Sequence, residues 1–207
     1  MEYEVRYYFS PERIKDIIGE LDSSDLTKGL KTYEKTSQYN HSDQRFNFYS
    51  LEIDGRFRVR ISKNEKDNRC MISWKRRLKD TKEDVVNKEE EKEVRINFED
   101  YDNLIFLLDN VLHLELVESY ERYRTNYSNE EIEISVDEYP FGFALEIENK
   151  GQGDPIETVK KYVSMLGLDI NDSYRLSWDD KYSELCKEQN IKELKEVAFG
   201  KEMPKIM

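Results

Sequence analysis

With 207 residues, 45 acidic against 33 basic side chains and a formal net charge of −12, the chain is long enough for one packed core. It is too acidic to bind nucleic acid or an anionic membrane through a broad surface. Charged residues (38%) outnumber hydrophobic ones (37%), yet 14 Tyr, 9 Phe and 2 Trp, set largely in alternating runs, argue for an ordered domain rather than a disordered chain.

Glu2-Tyr3-Glu4-Val5-Arg6 alternates charge with apolar side chains, as a strand with one charged face does. Ser10 as N-cap and Pro11 at the first helical position open an expected helix with Ile14, Ile17, Ile18 and Leu21 on one face. Strands are expected from Leu30 to Ile53, broken by the polar Asn40–Asp43 segment and closed by an Asp54-Gly55 turn. Arg56-Phe57-Arg58-Val59-Arg60-Ile61 has the strictest alternation in the chain, with three arginines on one face, where like charges repel and an anion is wanted. Cys70, Ile72 and Trp74 mark the next strand, with Lys75 on its polar side, and residues 76–87, charged and aperiodic, read as a mobile loop. Glu91, Glu93 and Arg95 then oppose Val94 and Ile96.

Tyr101, Leu104, Ile105, Leu107, Leu108, Val111 and Leu112 have helical spacing and form the most apolar stripe of the chain. Three more strands are expected: Leu116–Tyr127 carrying Arg122 and Arg124, Glu131–Asp137, and Phe143–Glu148, the last two separated by a Pro140-Phe141-Gly142 turn. Asp154 caps and Pro155 starts a third helix ending at Gly167, residues 179–196 read as a fourth, and the tail from Phe199 is expected to be loosely held. Cys70 and Cys186 are too few and too far apart for a zinc site or a disulfide framework. With no membrane-length apolar run and no signal-peptide pattern, a cytoplasmic protein with reduced thiols is expected. His41, His113, Trp74, Trp178 and the tyrosines read as structural, the aromatics as helix-facing exterior.

A flat sheet would leave the charged faces in water. Closing the strands into an antiparallel barrel of about eight turns them inward and lets the amphipathic helices cover the apolar exterior, an α+β architecture. Glu2, Glu4, Glu146 and Glu148 would then share the interior with Arg6, Arg58, Arg60, Lys75, Arg122 and Arg124. Clustered carboxylates repel unless a cation neutralises them, and all-oxygen donors suit Mg²⁺ or Mn²⁺. Clustered bases want an anion, and a phosphate chain offers oxygens that arginine grips in pairs.

Glu2-x-Glu4-x-Arg6, the Gly55–Arg60 run, Lys75, Glu91-x-Glu93, Arg122-x-Arg124, Asp137, Gly142–Glu148 and the late Ser173-Tyr174 together resemble the ordered motifs of the CYTH superfamily, the triphosphate tunnel metalloenzymes. The resemblance covers residues 2–174 and implies a tunnel domain over 1–174, with 175–207 as a helical extension packed on it. It also implies a divalent-metal-dependent phosphohydrolase that cleaves the terminal phosphate of inorganic, nucleoside or thiamine triphosphate or of an RNA 5' end. By the same resemblance Glu2, Glu4 and Glu148 are the expected metal ligands. Arg6, Arg58, Arg60, Lys75, Arg122 and Arg124 are the expected phosphate clamp, and Glu146, Arg58 and Lys75 the expected catalytic groups. Arginine stands here where the family's first motif and its Lys-x-Arg motif carry lysine, which removes a group able to give up a proton. The alternatives are a class IV adenylyl cyclase, disfavoured because only Met1 precedes Glu2 where cyclases carry a histidine-phenylalanine element, and a module that only binds a phosphorylated ligand. Expected partners are a triphosphate-bearing small molecule or RNA end, with no membrane, the chain being a monomer or homodimer.

Overall fold

The computed structural model describes residues 2–46, 48, 55–78, 86–151 and 153–207, with Glu2 described by its backbone. The expected strand beyond Phe48, the Asp54 side of the expected turn and most of the expected 76–87 loop lie outside the described residues. Ten strands follow in chain order: β1 Glu2–Phe9, β2 Thr27–Lys28, β3 Thr32–His41, β4 Gly55–Lys63, β5 Asn68–Arg77, β6 Asn87–Ile96, β7 Leu114–Ser128, β8 Ile132–Tyr139, β9 Gly142–Asn149 and β10 Glu196–Val197. Four helices accompany them: α1 Ile14–Asp22, α2 Tyr101–Phe106, which widens into a π-helical turn over Leu107–Val111, α3 Pro155–Met165 and α4 Trp178–Gln189.

Eight strands close in the order β7-β3-β4-β5-β6-β1-β9-β8, and β8 pairs back to β7, so the sheet has no free ends. Every one of these pairings is antiparallel. The two-residue strands β2 and β10 both add to β7. Closure follows from the alternation: one face of each strand carries charge, and only a barrel gives all those faces a common interior.

Among the described residues, two of the three hydrophobic clusters lie on the barrel exterior, and the third lies at one end of the barrel. Val5, Tyr7, Leu145 and Ile147 of β1 and β9, with Ile132 and Ile134 of β8, pack against Ile14, Ile17 and Leu21 of α1 and Val159 and Val163 of α3. The outer faces of β3, β4 and β5 pack through Tyr39, Val59 and Cys70 against Leu108, with Tyr101, Leu104 and Ile105 of α2 at the margin. A third cluster joins Tyr120, Tyr139, Phe141 and Ala144 to Trp178, Tyr182, Leu185 and Cys186 of α4.

Several boundaries differ from expectation. The first helix starts at Ile14, because residues 11–13 form a turn in which the Ser10 carbonyl accepts from the Ile14 amide at 3.2 Å. Arg76 and Arg77 belong to β5 rather than to a loop, held across the ladder by Glu90 and Glu89, and Asn87 already belongs to β6. The fourth helix stops at Asn190, whose φ of 55° is left-handed, so residues 191–196 leave the helix and end in β10. The tail is docked rather than loose: Phe199 donates its amide to Glu121 at 3.0 Å, Met203 is buried, and Ile206 donates its amide to the Phe141 carbonyl at 2.9 Å. Gly142 accommodates that docking. At its φ of 152° a Cβ would meet the Ile206 side chain at 2.6 Å, so the turn there admits only glycine.

Candidate active site in the barrel interior

Period-two alternation aims one residue in two at a cavity of about 310 Å³ inside the barrel. Among the described residues its walls carry eight acidic side chains and eight basic ones: Glu4 and Arg6 from β1; Glu34 from β3; Arg56, Arg58 and Arg60 from β4; Lys75 and Arg77 from β5; Glu89, Glu91 and Glu93 from β6; Arg122 and Arg124 from β7; Glu133 from β8; Glu146 and Glu148 from β9. Every sequence-expected site residue whose side chain is described lines it. The expectation for Glu2 rests on a side chain outside the described set.

Register explains which charges meet. Arg6 lies opposite Glu146, and its Nε donates to Glu146 Oε1 at 2.9 Å while Nη2 reaches Glu4 at 3.2 Å. Arg124 lies opposite Asp137, grips it with Nε and Nη2, and also donates to Glu146 Oε2. Burial alone would raise the carboxyl pKa of Glu146, but Arg6, Arg124 and Arg122 outweigh it and hold the group well below the usual carboxylate range. Arg122 is buried between Glu34, at 2.8 Å, and Asp137, at 2.9 Å. Desolvation opposes charge at Glu34, yet Arg122, Arg60 and Arg124 pull its pKa down to about 2. Lys75 Nζ lies 2.6 Å from Glu89 and 3.7 Å from both Glu4 and Glu91.

Arg58 and Arg60 are different. Among the described residues the acid in ion-pair range of Arg60 is Glu34 at 3.9 Å, already engaged by Arg122, and the Arg60 guanidinium donates to the Thr36 hydroxyl at 3.2 Å. Arg58 reaches only the neutral Gln38 amide oxygen, at 3.5 Å, and among the described residues no carboxylate lies within ion-pair distance of it. Two cations on one strand face the cavity, Arg58 with no ion pair among the described residues and Arg60 with only the long contact to Glu34, and together they form an anion-binding wall.

One end of the cavity is closed by α4. Trp178 packs on Tyr120 with ring centroids 4.3 Å apart and stacks at 6.4 Å on Tyr139, and all three line the cavity. The expectation that Trp178 and the tyrosines lie on the exterior is therefore corrected for these three: Tyr120 and Tyr139 share the inward parity of Arg122 and Asp137, and α4 turns back across the barrel end. Ser177 starts that helix, with its amide donating to Asp180 at 3.0 Å, and Arg56 reaches its hydroxyl at 3.5 Å.

Glu34, Arg77 and Glu89 are site-lining residues that sequence reasoning passed over, and Glu93 was named only within the Glu91-x-Glu93 motif and given no role. Both faces of β3 are polar there, with Lys35 and Ser37 beside Glu34 and Thr36, so alternation gave no direction. A shared parity with Lys75 and Glu91 was the available signal for the other three.

No model of a known protein family matches the chain, and no curated protein does. Solved structures do. The PH1819 protein of Pyrococcus horikoshii OT3 superposes with a TM-score of 0.66 at 21% identity, over 91% of this chain and 99% of that one. The fold is that of the CYTH-type tunnel proteins. A candidate adenylate cyclase from Vibrio parahaemolyticus shares this CYTH-type barrel with a TM-score of 0.63 at 14% identity, over 88% of this chain and 97% of that one. The candidate adenylyl cyclase HpAC1 from Hippeastrum, described as having dominant triphosphatase activity, shares it at 0.61 and 16%, over 89% and 96%.

Glu4 lies opposite Glu148 and Glu148 opposite Glu133, a row of carboxylates across β1, β9 and β8, and oxygen donors of this kind suit a hard divalent cation. The donor chemistry fits Mg²⁺ or Mn²⁺. Among the described residues, no three acidic, histidine or cysteine side chains converge into a ready cage.

Proposed function

We propose that the chain is a divalent-metal-dependent phosphohydrolase that cleaves the terminal phosphate of a triphosphate held in the barrel. The observation that carries this reading is the Arg58–Arg60 wall, one cation with no ion pair among the described residues and one with only a 3.9 Å contact to Glu34, in a cavity whose other charges are largely paired. The near match of acids and bases among the described lining residues, with Asp137 behind Arg122 and Arg124, supports it further. A polyanion entering alone would leave that interior negative, so it must bring cations with it.

In this reading Arg58 and Arg60 bind the phosphate chain first, and Arg6, Arg124 and Lys75 join by exchanging carboxylate partners for phosphate oxygens. Arg122, pinned from both sides, adds its charge from within the wall. Glu2, Glu4 and Glu148 would hold Mg²⁺ or Mn²⁺, which supplies Lewis-acid neutralisation of phosphate charge. Glu146 stays ionised at neutral pH, so it orients water by accepting a hydrogen bond and has no proton to donate. The water oxygen ends on released orthophosphate, the bridging P–O bond breaks with its electron pair on the leaving-group oxygen, and the water's proton passes to solvent.

Product analysis tests this: purified protein with Mg²⁺ or Mn²⁺, and with EDTA, is incubated with tripolyphosphate, ATP, thiamine triphosphate or a 5'-triphosphorylated RNA oligonucleotide. Metal-dependent orthophosphate release is expected, the preferred substrate naming the leaving group, and Glu4→Ala or Glu148→Ala should abolish turnover with the fold intact. Cyclic AMP with pyrophosphate from ATP overturns hydrolysis in favour of a cyclase; tripolyphosphate binding without turnover overturns catalysis.

A further inference from the structure

The apolar stripe that the sequence places on α2 is only partly used by the fold. Leu108 is buried and Tyr101, Leu104 and Ile105 half-buried, but Phe106, Leu107, Val111 and Leu112 are 60%, 49%, 56% and 54% exposed. Leu116 and Val117, at the start of β7, are exposed as well. Six large apolar side chains thus lie open within twelve consecutive residues, far more than the scattered single exposures normal on a soluble surface. The backbone is also irregular there. The π-helical turn Leu107–Val111 closes with the Leu112 amide donating to the Leu107 carbonyl at 2.9 Å, and such turns concentrate at functional sites. Beside it, on the side of β7 away from β3, residues 114–118 have no strand partner among the described residues.

Charge narrows the occupant. Between Arg95 and Arg122 the chain has no lysine or arginine, while Asp102, Asp109 and Glu115 are exposed around the apolar residues. A second copy of this chain, at −12 and presenting the same acids, would meet like charge, and an anionic membrane would too. We propose that this surface, on the outside of the barrel and separate from the cavity, docks a basic amphipathic helix of a partner protein. Its apolar side chains seat on Leu107, Val111 and Leu112, and its lysines or arginines face Asp102, Asp109 and Glu115.

The test uses the full chain and a labelled helical peptide of leucine and lysine with one apolar face, read by fluorescence anisotropy. A peptide with glutamate at every lysine serves as the control. The lysine peptide is expected to bind and the glutamate peptide not, with Leu112→Asp and Val111→Asp each weakening binding at least about tenfold and Asp109→Lys weakening it in a salt-dependent way. Because these side chains are exposed, unchanged thermal melting and unchanged tripolyphosphate binding would show that the variants fold. Equal binding by wild type and the aspartate variants, or by both peptides, overturns the proposal. So does a dimer in sedimentation that Leu112→Asp dissociates, which would make a second copy the occupant, and so does Leu112-dependent binding to phosphatidylserine vesicles.

Discussion

Two carboxylates of β3 and β7 show how neighbours decide a residue's role. Glu34 and Glu118 are both partly or wholly withdrawn from water, which disfavours the charged form of each. Arg122, Arg60 and Arg124 reverse this at Glu34 and hold its pKa at about 2. At Glu118 burial, reinforced by Asp179 on α4, outweighs Arg58 and Arg56 and pushes the carboxyl up to about 7. The two therefore act on stability with opposite sign. Glu34 binds fewer protons folded than unfolded, so its contribution is present above its unfolded pKa and is lost as pH falls toward 2. Glu118 binds more protons folded than unfolded between its unfolded pKa and about 7, so the folded state weakens as pH rises through that window. Glu118→Gln should consequently stabilise the protein at pH 8 by about 1–3 kcal/mol and leave it unchanged near pH 4, read as urea midpoints at the two pH values. Equal effects at both would mean that Glu118 is ionised throughout. Arg58 makes the converse case. Its guanidinium holds no ion pair among the described residues, so Arg58→Ala should cost little stability while weakening tripolyphosphate binding by at least about tenfold in calorimetry. Unchanged affinity would remove the anion-binding wall.

At the scale of elements, the strands were legible because their two faces differ in chemistry. Arg56 to Ile61 and Glu146 to Glu148 could be placed by alternation, and the observed registers bring their charged residues to one interior. β3 was illegible in its facing, polar on both sides, and Arg76 and Arg77 read as loop because a charged run has no period until its partner strand, here Glu89 and Glu90, is known. Helix ends were harder still. The stop at Asn190 depends on a left-handed residue that is not glycine, and the apolar stripe of α2 was expected to be core, although a widened turn and the short helix leave its end in solvent. What sequence could not supply was the path of α4 across the barrel end, since its Trp178, Tyr182 and Leu185 would suit an exterior face equally well. That helix seals the cavity through Trp178, which is 4% exposed against Tyr120 and Tyr139. Trp178→Ala should therefore cost about 3–5 kcal/mol in denaturant unfolding, as a large buried ring leaves a void that its rigid neighbours fill poorly. A loss under about 1 kcal/mol would mean that α4 does not rest on this ring.

The whole molecule inverts the usual arrangement, with charge inside and two hydrophobic cores outside, between barrel and helices, the third closing one barrel end. Such an interior is tolerable because its charges are nearly matched, and the ladder of pairs from Arg6 through Glu146, Arg124 and Asp137 to Arg122 and Glu34 links β1, β9, β7, β8 and β3 into one network. Matching also sets the terms on which a ligand enters. An anion alone takes arginines from their carboxylates and leaves those carboxylates buried and uncompensated; a divalent cation alone does the reverse. Each should thus bind weakly by itself and strongly with the other, and ligands that bind only the folded state raise its melting temperature by mass action. The melting temperature is expected to rise by several degrees with tripolyphosphate and Mg²⁺ together, by far more than the sum of the shifts each gives alone, and Glu148→Gln should remove the excess while leaving the smaller shift from tripolyphosphate. Additive shifts would mean that anion and cation occupy independent places, and the charge balance of the barrel would then have no part in selecting what it holds.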